Sequence, residues 1–146
     1  MNELLKKTDS GTTTTQYSGT VFIADDDPDI LDQLRMILES MSLEVFSADT
    51  QEKAEALIAS RRPDLVVFDL MMENMDSGFI LSHRLKSKYP DVPVIMVSGV
   101  AQEAGLRFDT KSSEMQNWIK ADVFLDKQIR PEQLKAEVTR LLNANR

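Results

Sequence analysis

The sequence LVVFD at residues 65–69 is a short, unbroken apolar run that ends in a carboxylate. Comparable runs stand at residues 21–24, 94–97 and 123–125, and a polar residue follows each of them. Apolar runs without alternation are typical of parallel strands that are buried on both faces. Because stretches with helical spacing separate the runs, the pattern predicts an α/β fold built on a parallel βαβ sheet.

The segments between the apolar runs supply the remaining elements. Pro28 suits the first turn of a helix, and apolar residues recur at helical spacing after it. Asp27, directly before Pro28, and Asp29 are interpreted as helix-capping or turn-forming residues and not as part of the site. The other predicted elements are a strand at 43–46, helices at 52–60 and 78–88, a short helix at 114–120, a strand at 122–125 and a closing helix at 131–143.

Polar residues at the ends of the predicted strands mark the candidate site. Ligands of open α/β sheets bind at the carboxyl ends of the strands, near the point where the strand order reverses. Asp25 and Asp26 follow the first run, Asp69 ends the central one, Ser98 ends the fourth strand, and Lys127 comes shortly after the fifth. Three carboxylates, a hydroxyl and an amine are therefore expected to converge on one edge of the sheet.

The bulk properties favour a single domain with cations or proteins as partners. The chain has 146 residues, no cysteine and a net charge of −7. We predict a flexible tail at residues 1–19, which is rich in Thr, Ser and Gly towards its end, and one folded domain at 20–146. The negative charge disfavours direct binding to nucleic acid, and no apolar run is long enough for membrane insertion. Without a secretory signal, we expect a cytoplasmic location.

Four short motifs occur in a characteristic order along the chain. They are ADDDP at 24–28, FDLMM at 68–72, VSG at 97–99 and FLDK at 124–127. Together they resemble the motifs of the receiver domains of two-component response regulators, and the resemblance extends from about residue 19 to the end. It implies a doubly wound, five-stranded parallel sheet with helices on both faces and the flavodoxin-like strand order 2-1-3-4-5.

The resemblance implies that Asp69 accepts a phosphoryl group from a histidine kinase or a phosphotransfer protein. The chemistry agrees, because attack by a carboxylate brings negative charge to a place that already holds Asp25 and Asp26. Like charges about 4 Å apart repel by about 4 kcal/mol at an effective dielectric of ~20, so a cation is needed. The family pattern implies Mg²⁺, bound directly by Asp26, largely through water by Asp25, and by oxygens of Asp69 and of the Met71 backbone.

The resemblance also implies a conformational switch. Ser98 would hydrogen-bond a phosphoryl oxygen, and Lys127 would pair with the phosphoryl charge. Phe124 has two open interpretations. It is either a core residue or an aromatic side chain whose rotamer changes with the movement of Ser98 when the aspartate is phosphorylated. Met71 and Val100 occupy positions that in this family flank the path of the water that attacks the phosphoryl group. Because their apolar side chains cannot orient this water, we predict slow loss of phosphate. Beyond autophosphorylation and slow autodephosphorylation, no enzymatic activity is expected.

Several features depart from the family pattern. Gln128 follows Lys127 where most receivers have proline, which leaves the conformation of that peptide and the position of the lysine open. Glu73 also replaces a usual proline, and DSG at 76–78 holds one residue more than usual, so we expect this loop to follow a different path. The segment from 98 to 127 is several residues longer than in most receivers.

We expect a stand-alone receiver that acts on a separate downstream protein, because no output domain follows the closing helix. Two alternatives stay open. One is a degenerate receiver that serves as a phosphorylation-independent interaction module. The other is a Mg²⁺-dependent phosphohydrolase with an aspartyl-phosphate intermediate, which usually carries a cap domain for which this chain has no room. A homodimer through the face of the fourth and fifth strands is also open.

Overall fold

The described part of the chain, residues 17–99 and 119–144 of this computed structural model, forms a parallel sheet between two layers of helices. The strands are β1 (Gly19–Ala24), β2 (Leu43–Ala48), β3 (Leu65–Asp69), β4 (Val94–Ser98) and β5 (Val123–Asp126). The helices are α1 (Pro28–Glu39), α2 (Gln51–Ser60), α3 (Ser77–Lys88) and α4 (Pro131–Ala144). The predicted α/β class is confirmed.

The strand order determines where a ligand site can form. The five strands lie in the order β2-β1-β3-β4-β5 and are all parallel, which confirms the predicted order 2-1-3-4-5. The order reverses between β1 and β3, so a crevice opens at their carboxyl ends. Ala24 pairs with Phe68 and Asp69 pairs with Val97. The residue that follows β1 therefore lies beside the last residue of β3.

Alternate strand residues point to opposite faces of the sheet and build two cores. The core under α1 and α4 contains Val21, Ile23, Leu65, Val67, Ile95, Val97, Leu34, Leu38, Leu134 and Val138. The core under α2 and α3 contains Phe22, Val66, Phe68, Val94, Met96, Ala54, Ile58, Leu81 and Leu85. Each large apolar side chain that is fully buried stabilises the fold by about 1.5–3 kcal/mol. Helices thus cover both faces, as predicted, and leave the strand ends free for chemistry.

Side-chain caps fix where α1 and α2 begin. Asp27 Oδ1 accepts a hydrogen bond from the Asp29 N–H at 2.9 Å, so the interpretation of Asp27 as a helix cap is confirmed. Thr50 Oγ1 accepts a hydrogen bond from the Lys53 N–H at 3.1 Å. Because of this cap, α2 begins at Gln51, one residue before its predicted start.

Some predictions fall outside the described residues. These include residues 1–16 of the predicted tail, Val100, and all but the last two residues of the predicted helix at 114–120. The last residue of the predicted tail, Gly19, already pairs with Leu43 in the sheet. In the parts of the chain that are described, no helix is both long enough and apolar enough to cross a bilayer.

Candidate functional site

Three carboxylates meet at the carboxyl edge of the sheet. Oxygens of Asp25, Asp26 and Asp69 all lie within 4.8 Å of one another. The Asp25 N–H donates to Ala48 O at 3.2 Å, which holds this residue against the end of β2, and its side chain is buried at 1% exposure. Asp69 ends the central strand and is 3% exposed, whereas Asp26 faces solvent. The structure thus brings together the three acidic residues that the strand ends indicated.

Lys127 reaches into this cluster from the end of β5. Its Nζ lies 3.0 Å from Asp69 Oδ2 and 3.5 Å from Asp25 Oδ1. The Lys127 N–H donates to Ser98 O at 3.3 Å, so the lysine is tied to the end of β4. No peptide bond among residues 17–99 and 119–144 is cis, and this includes the bond to Gln128. Lys127 therefore contacts both Asp25 and Asp69 although glutamine replaces the proline that usually follows this lysine.

Ser98 and Phe124 lie on the two strands beyond Asp69. Ser98 is the last residue of β4 and is buried, one strand away from Asp69, and it pairs with Asp126 on β5. Phe124 is half-buried on β5, pairs with Met96 and packs against the core under α2 and α3. Both interpretations of Phe124 stay compatible with this position.

Burial dominates the electrostatics of the cluster. It raises the pKa of Asp25 to about 6, with a further rise from the charge of Asp69, although the Asp27 N–H and Lys127 act in the opposite direction. Burial also raises the pKa of Asp69 above its ordinary value despite its hydrogen bond from Lys127. Burial by itself lowers the pKa of Lys127, but the hydrogen bond and charge of Asp69 outweigh it and leave that pKa raised. Two buried acids share one lysine, so negative charge is in excess.

The donor atoms suit a hard divalent cation. Asp25 Oδ2 is buried and has no hydrogen-bond partner among the described residues, and a buried carboxylate oxygen without a partner is costly. Oxygens from Asp25, Asp26 and Asp69 form the kind of ligand set that Mg²⁺ prefers. The exposed side of the cluster, at Asp26, is open to the waters that Mg²⁺ usually keeps. The residues present therefore fit Mg²⁺.

The loop between β3 and α3 is closed at its base, so the start of α3 lies against Leu70, the residue after Asp69. The Gly78 N–H donates to Leu70 O at 2.8 Å. A Cβ at Gly78 would lie 2.7 Å from Leu70 Cα, so only glycine lets α3 begin this close to the end of β3. The Met71 N–H donates to Asp69 Oδ1 at 3.3 Å. Met71, whose carbonyl is the predicted backbone ligand, thus lies directly against the Asp69 carboxylate.

We expect Asp25→Asn to stabilise the metal-free protein. A pKa raised from 3.8 to about 6 corresponds to a cost of about 3 kcal/mol when Asp25 is ionised. This figure already includes the attraction of Lys127. Asn, however, places an amide NH2 or oxygen where the carboxyl has a buried Oδ2 without a partner among the described residues, so we expect about half of this gain, a Tm increase of about 5 °C. The cost is present above about pH 6 and is relieved as the pH falls towards 4, so the difference from the parent should shrink in acid.

Melting curves in chelator at about pH 8 and about pH 4.5 test this expectation. Asp26→Asn is the matched control, since it removes a neighbouring carboxylate that faces solvent and should change Tm much less. Equal effects of the two substitutions, or a gain that persists in acid, would contradict the burial argument.

Comparison with known proteins identifies the family. The family model of the response regulator receiver domain matches residues 21–139, so the chain belongs to the response regulator receiver family. The phosphate regulon transcriptional regulatory protein PhoB of Pseudomonas aeruginosa is 30% identical over 125 residues, which cover 84% of this chain and 51% of PhoB. The heme response regulator HssR of Staphylococcus aureus is 40% identical over 76 residues, which cover 52% of this chain and 33% of HssR. The chain thus spans about half the length of PhoB and about a third of the length of HssR.

Solved structures agree with this family. A CheY-like receiver domain protein from Methanospirillum hungatei has a TM-score of 0.73 at 26% identity, over 86% of this chain and 94% of the other. The receiver domain of a signal transduction histidine kinase from Syntrophus aciditrophicus has a TM-score of 0.71 at 26% identity, over 87% and 92% of the two chains. A Francisella receiver domain, with a TM-score of 0.74 at 23% identity, supports the fold alone.

Sequence reasoning missed one group of residues next to the site. Gln51 at the start of α2 contacts Glu73, Asn74 and Ser77 in and after the β3–α3 loop. The only signal in the sequence was Glu73 at a usual proline position. Nothing in a single sequence pairs this residue with a glutamine 22 positions earlier.

Proposed function

We propose that this chain is a Mg²⁺-dependent phosphoryl acceptor, on which a histidine kinase or a phosphotransfer protein phosphorylates Asp69. The observation that carries the proposal is the buried Asp69 carboxylate, 3.0 Å from Lys127 Nζ and grouped with Asp25 and Asp26. Family membership supports the same chemistry. A degenerate receiver would have no need to retain an acidic cluster, a strand-end hydroxyl and a lysine together.

The chain's own residues account for the transfer. Asp25, Asp26 and Asp69, with the Met71 carbonyl, would hold Mg²⁺, whose charge offsets the carboxylates and the phosphoryl oxygens. An Asp69 oxygen forms a bond to phosphorus as the bond from phosphorus to the histidine nitrogen of the donor breaks. Lys127, at 3.0 Å from Asp69, opposes the rise of its pKa, keeps it available as the carboxylate, and then pairs with the phosphoryl group.

We further propose that phosphorylation switches the surface beyond β4. The Ser98 hydroxyl hydrogen-bonds the phosphoryl group, and Phe124, half-buried on the next strand, fills the space that Ser98 leaves. Going from 1% to 99% active requires about 5.5 kcal/mol of differential stabilisation. A group held by a cation, a hydroxyl and a lysine can supply this amount. The phosphoryl group should be lost slowly, since the apolar Met71 side chain cannot orient a water.

The proposed biological setting follows from the same switch. We propose a stand-alone receiver in the cytoplasm that acts on a separate protein, without direct binding to nucleic acid. The net charge of −7 supports the absence of direct binding to nucleic acid. The face of β4 and β5 is the surface through which a homodimer would form.

Phosphorylation by acetyl phosphate tests the proposed function. With Mg²⁺, the protein should gain one phosphoryl group, measured as intact mass after borohydride trapping, and chelator should prevent the gain. No gain with acetyl phosphate or with any kinase of a purified panel would favour the degenerate receiver. Sustained turnover of small phosphoesters would instead favour the phosphohydrolase.

A further inference from the structure

Gln51, the first residue of α2, contacts the β3–α3 loop through both its backbone and its side chain. Its N–H donates to Glu73 Oε1 and Oε2 at 3.1 and 3.0 Å. Its side-chain Oε1 accepts hydrogen bonds from Asn74 Nδ2 at 3.2 Å and from Ser77 Oγ at 2.9 Å. Its Nε2 donates to Glu55 Oε2 at 2.9 Å, which fixes the orientation of the amide. All polar atoms of this side chain are thus hydrogen-bonded.

The side-chain contacts of Gln51 do not belong to the cap of α2, which Thr50 provides, whereas its N–H, one of the donors that a helix start leaves without an intrahelical acceptor, donates to Glu73. Thr50 Oγ1 accepts the Lys53 N–H there at 3.1 Å. The Gln51 amide oxygen instead bonds two residues that lie 23 and 26 positions later, on the far side of the loop. The Glu73 carboxylate interacts with the positive end of the α2 dipole, which strengthens the connection. The loop is therefore attached to a second, rigid element.

The loop's internal hydrogen bonds carry this attachment towards Asp69. Asn74 O accepts the N–H groups of Met72 at 3.3 Å and of Ser77 at 3.2 Å. The Gly78 N–H closes the base of the loop on Leu70 O at 2.8 Å. Holding Asn74 and Ser77 therefore restricts the short segment between Asp69 and Met72. Met71, which would supply the backbone ligand of Mg²⁺, is in that segment.

We propose that Gln51 is a positioning residue for the metal site: together with Glu73, it clamps the β3–α3 loop in the conformation in which the Met71 carbonyl can bind Mg²⁺. This inference rests on the proposed function. A loop held in place before the cation arrives loses less conformational entropy on binding. Proline usually limits the freedom of this loop in the family, and the clamp supplies the restriction where the chain has Glu73.

Gln51→Ala tests the clamp, with Mg²⁺ alone as the probe. Titration calorimetry should give about fivefold weaker Mg²⁺ binding, the factor that corresponds to about 1 kcal/mol from lost hydrogen bonds. With acetyl phosphate, the Mg²⁺ concentration for half-maximal phosphorylation should rise by the same factor. The rate at saturating Mg²⁺ should return to that of the parent, because the clamp acts on occupancy of the metal site.

Thr50→Ala is the matched control. It removes one hydrogen bond at the same helix end and destabilises α2, but it leaves the contacts of Gln51 with the loop in place. Mg²⁺ affinity should therefore stay at the parent value. Asn74→Ala removes a single exposed contact of the clamp and should weaken Mg²⁺ binding by a smaller factor. It provides a second measurement if Gln51→Ala fails to fold.

Three results would overturn the clamp. They are unchanged Mg²⁺ affinity in both Gln51→Ala and Asn74→Ala, an equal loss of affinity in Thr50→Ala, and a lower rate at saturating Mg²⁺ without a change in affinity. Failure of the proposed function looks different, since the parent itself would then neither bind Mg²⁺ nor become phosphorylated. That result would reject the clamp together with the proposed function. If the parent binds Mg²⁺ and is phosphorylated, and Gln51→Ala and Asn74→Ala bind Mg²⁺ as tightly as the parent, only the clamp is rejected.

Discussion

Asp69→Asn should take up no phosphoryl group from acetyl phosphate at any Mg²⁺ concentration, whereas the parent protein gains one. The reason is chemical, because a neutral amide oxygen is a far weaker nucleophile than a carboxylate. Asp69 is also the carboxylate that Lys127 contacts most closely, at 3.0 Å. Intact mass after borohydride trapping should therefore show complete loss of labelling in the variant.

The substitution is nearly isosteric, and the loss should not come from unfolding. Burial raises the pKa of Asp69, so removing its charge should leave the metal-free protein at least as stable as the parent. Asp76→Asn is the matched control, since it removes an exposed carboxylate from the same loop and should be labelled like the parent. Persistent labelling of Asp69→Asn would move the acceptor to another residue, with Asp25 and Asp26 as the neighbouring candidates.

The fold and the acidic cluster were predictable because both follow from local sequence patterns. Apolar runs without alternation indicated buried parallel strands, and parallel strands end at the same edge of a sheet. Asp25, Asp26 and Asp69 were therefore expected at one edge of the sheet once the runs were recognised as strands, and the pairing of β1 with β3 brings them side by side. The strand order came from the resemblance of the motifs and is confirmed.

Other features of the site depend on contacts that a single sequence does not encode. The Gln51 clamp joins polar residues on separate elements, and each of them alone resembles an ordinary solvated side chain. The Asp25 oxygen that has no partner in the described part of the chain depends on how side chains pack around one buried atom. Strand ends also shifted by a residue or two, as at β2, where pairing with β1 extends the strand to Ala48. Tertiary pairing, and not local propensity, decides such details.

Lys127→Met should destabilise the metal-free protein strongly and increase its response to Mg²⁺. Removing one partner of a buried ion pair costs about 3–5 kcal/mol. Lys127 is partly exposed, so we expect about 2 kcal/mol, a Tm decrease of about 6 °C. The decrease should be largest above about pH 6, where Asp25 is ionised, and should fade in acid as the acids take up protons. Millimolar Mg²⁺ should restore much of the Tm, because the cation replaces the lost charge.

Lys86→Met separates this effect from the loss of any lysine. Lys86 Nζ lies 3.0 Å from Asp122 Oδ2, the same distance as in the Lys127–Asp69 pair, but the Asp122 side chain is 40% exposed. Such surface pairs contribute about 0–1 kcal/mol, so Tm should change little and Mg²⁺ should not rescue it. If the two variants melted alike and responded alike to Mg²⁺, the buried acids would not depend on Lys127. A larger Mg²⁺ response in Lys127→Met alone would mean that the lysine and the cation compensate the same two carboxylates, as a phosphoryl acceptor at Asp69 requires.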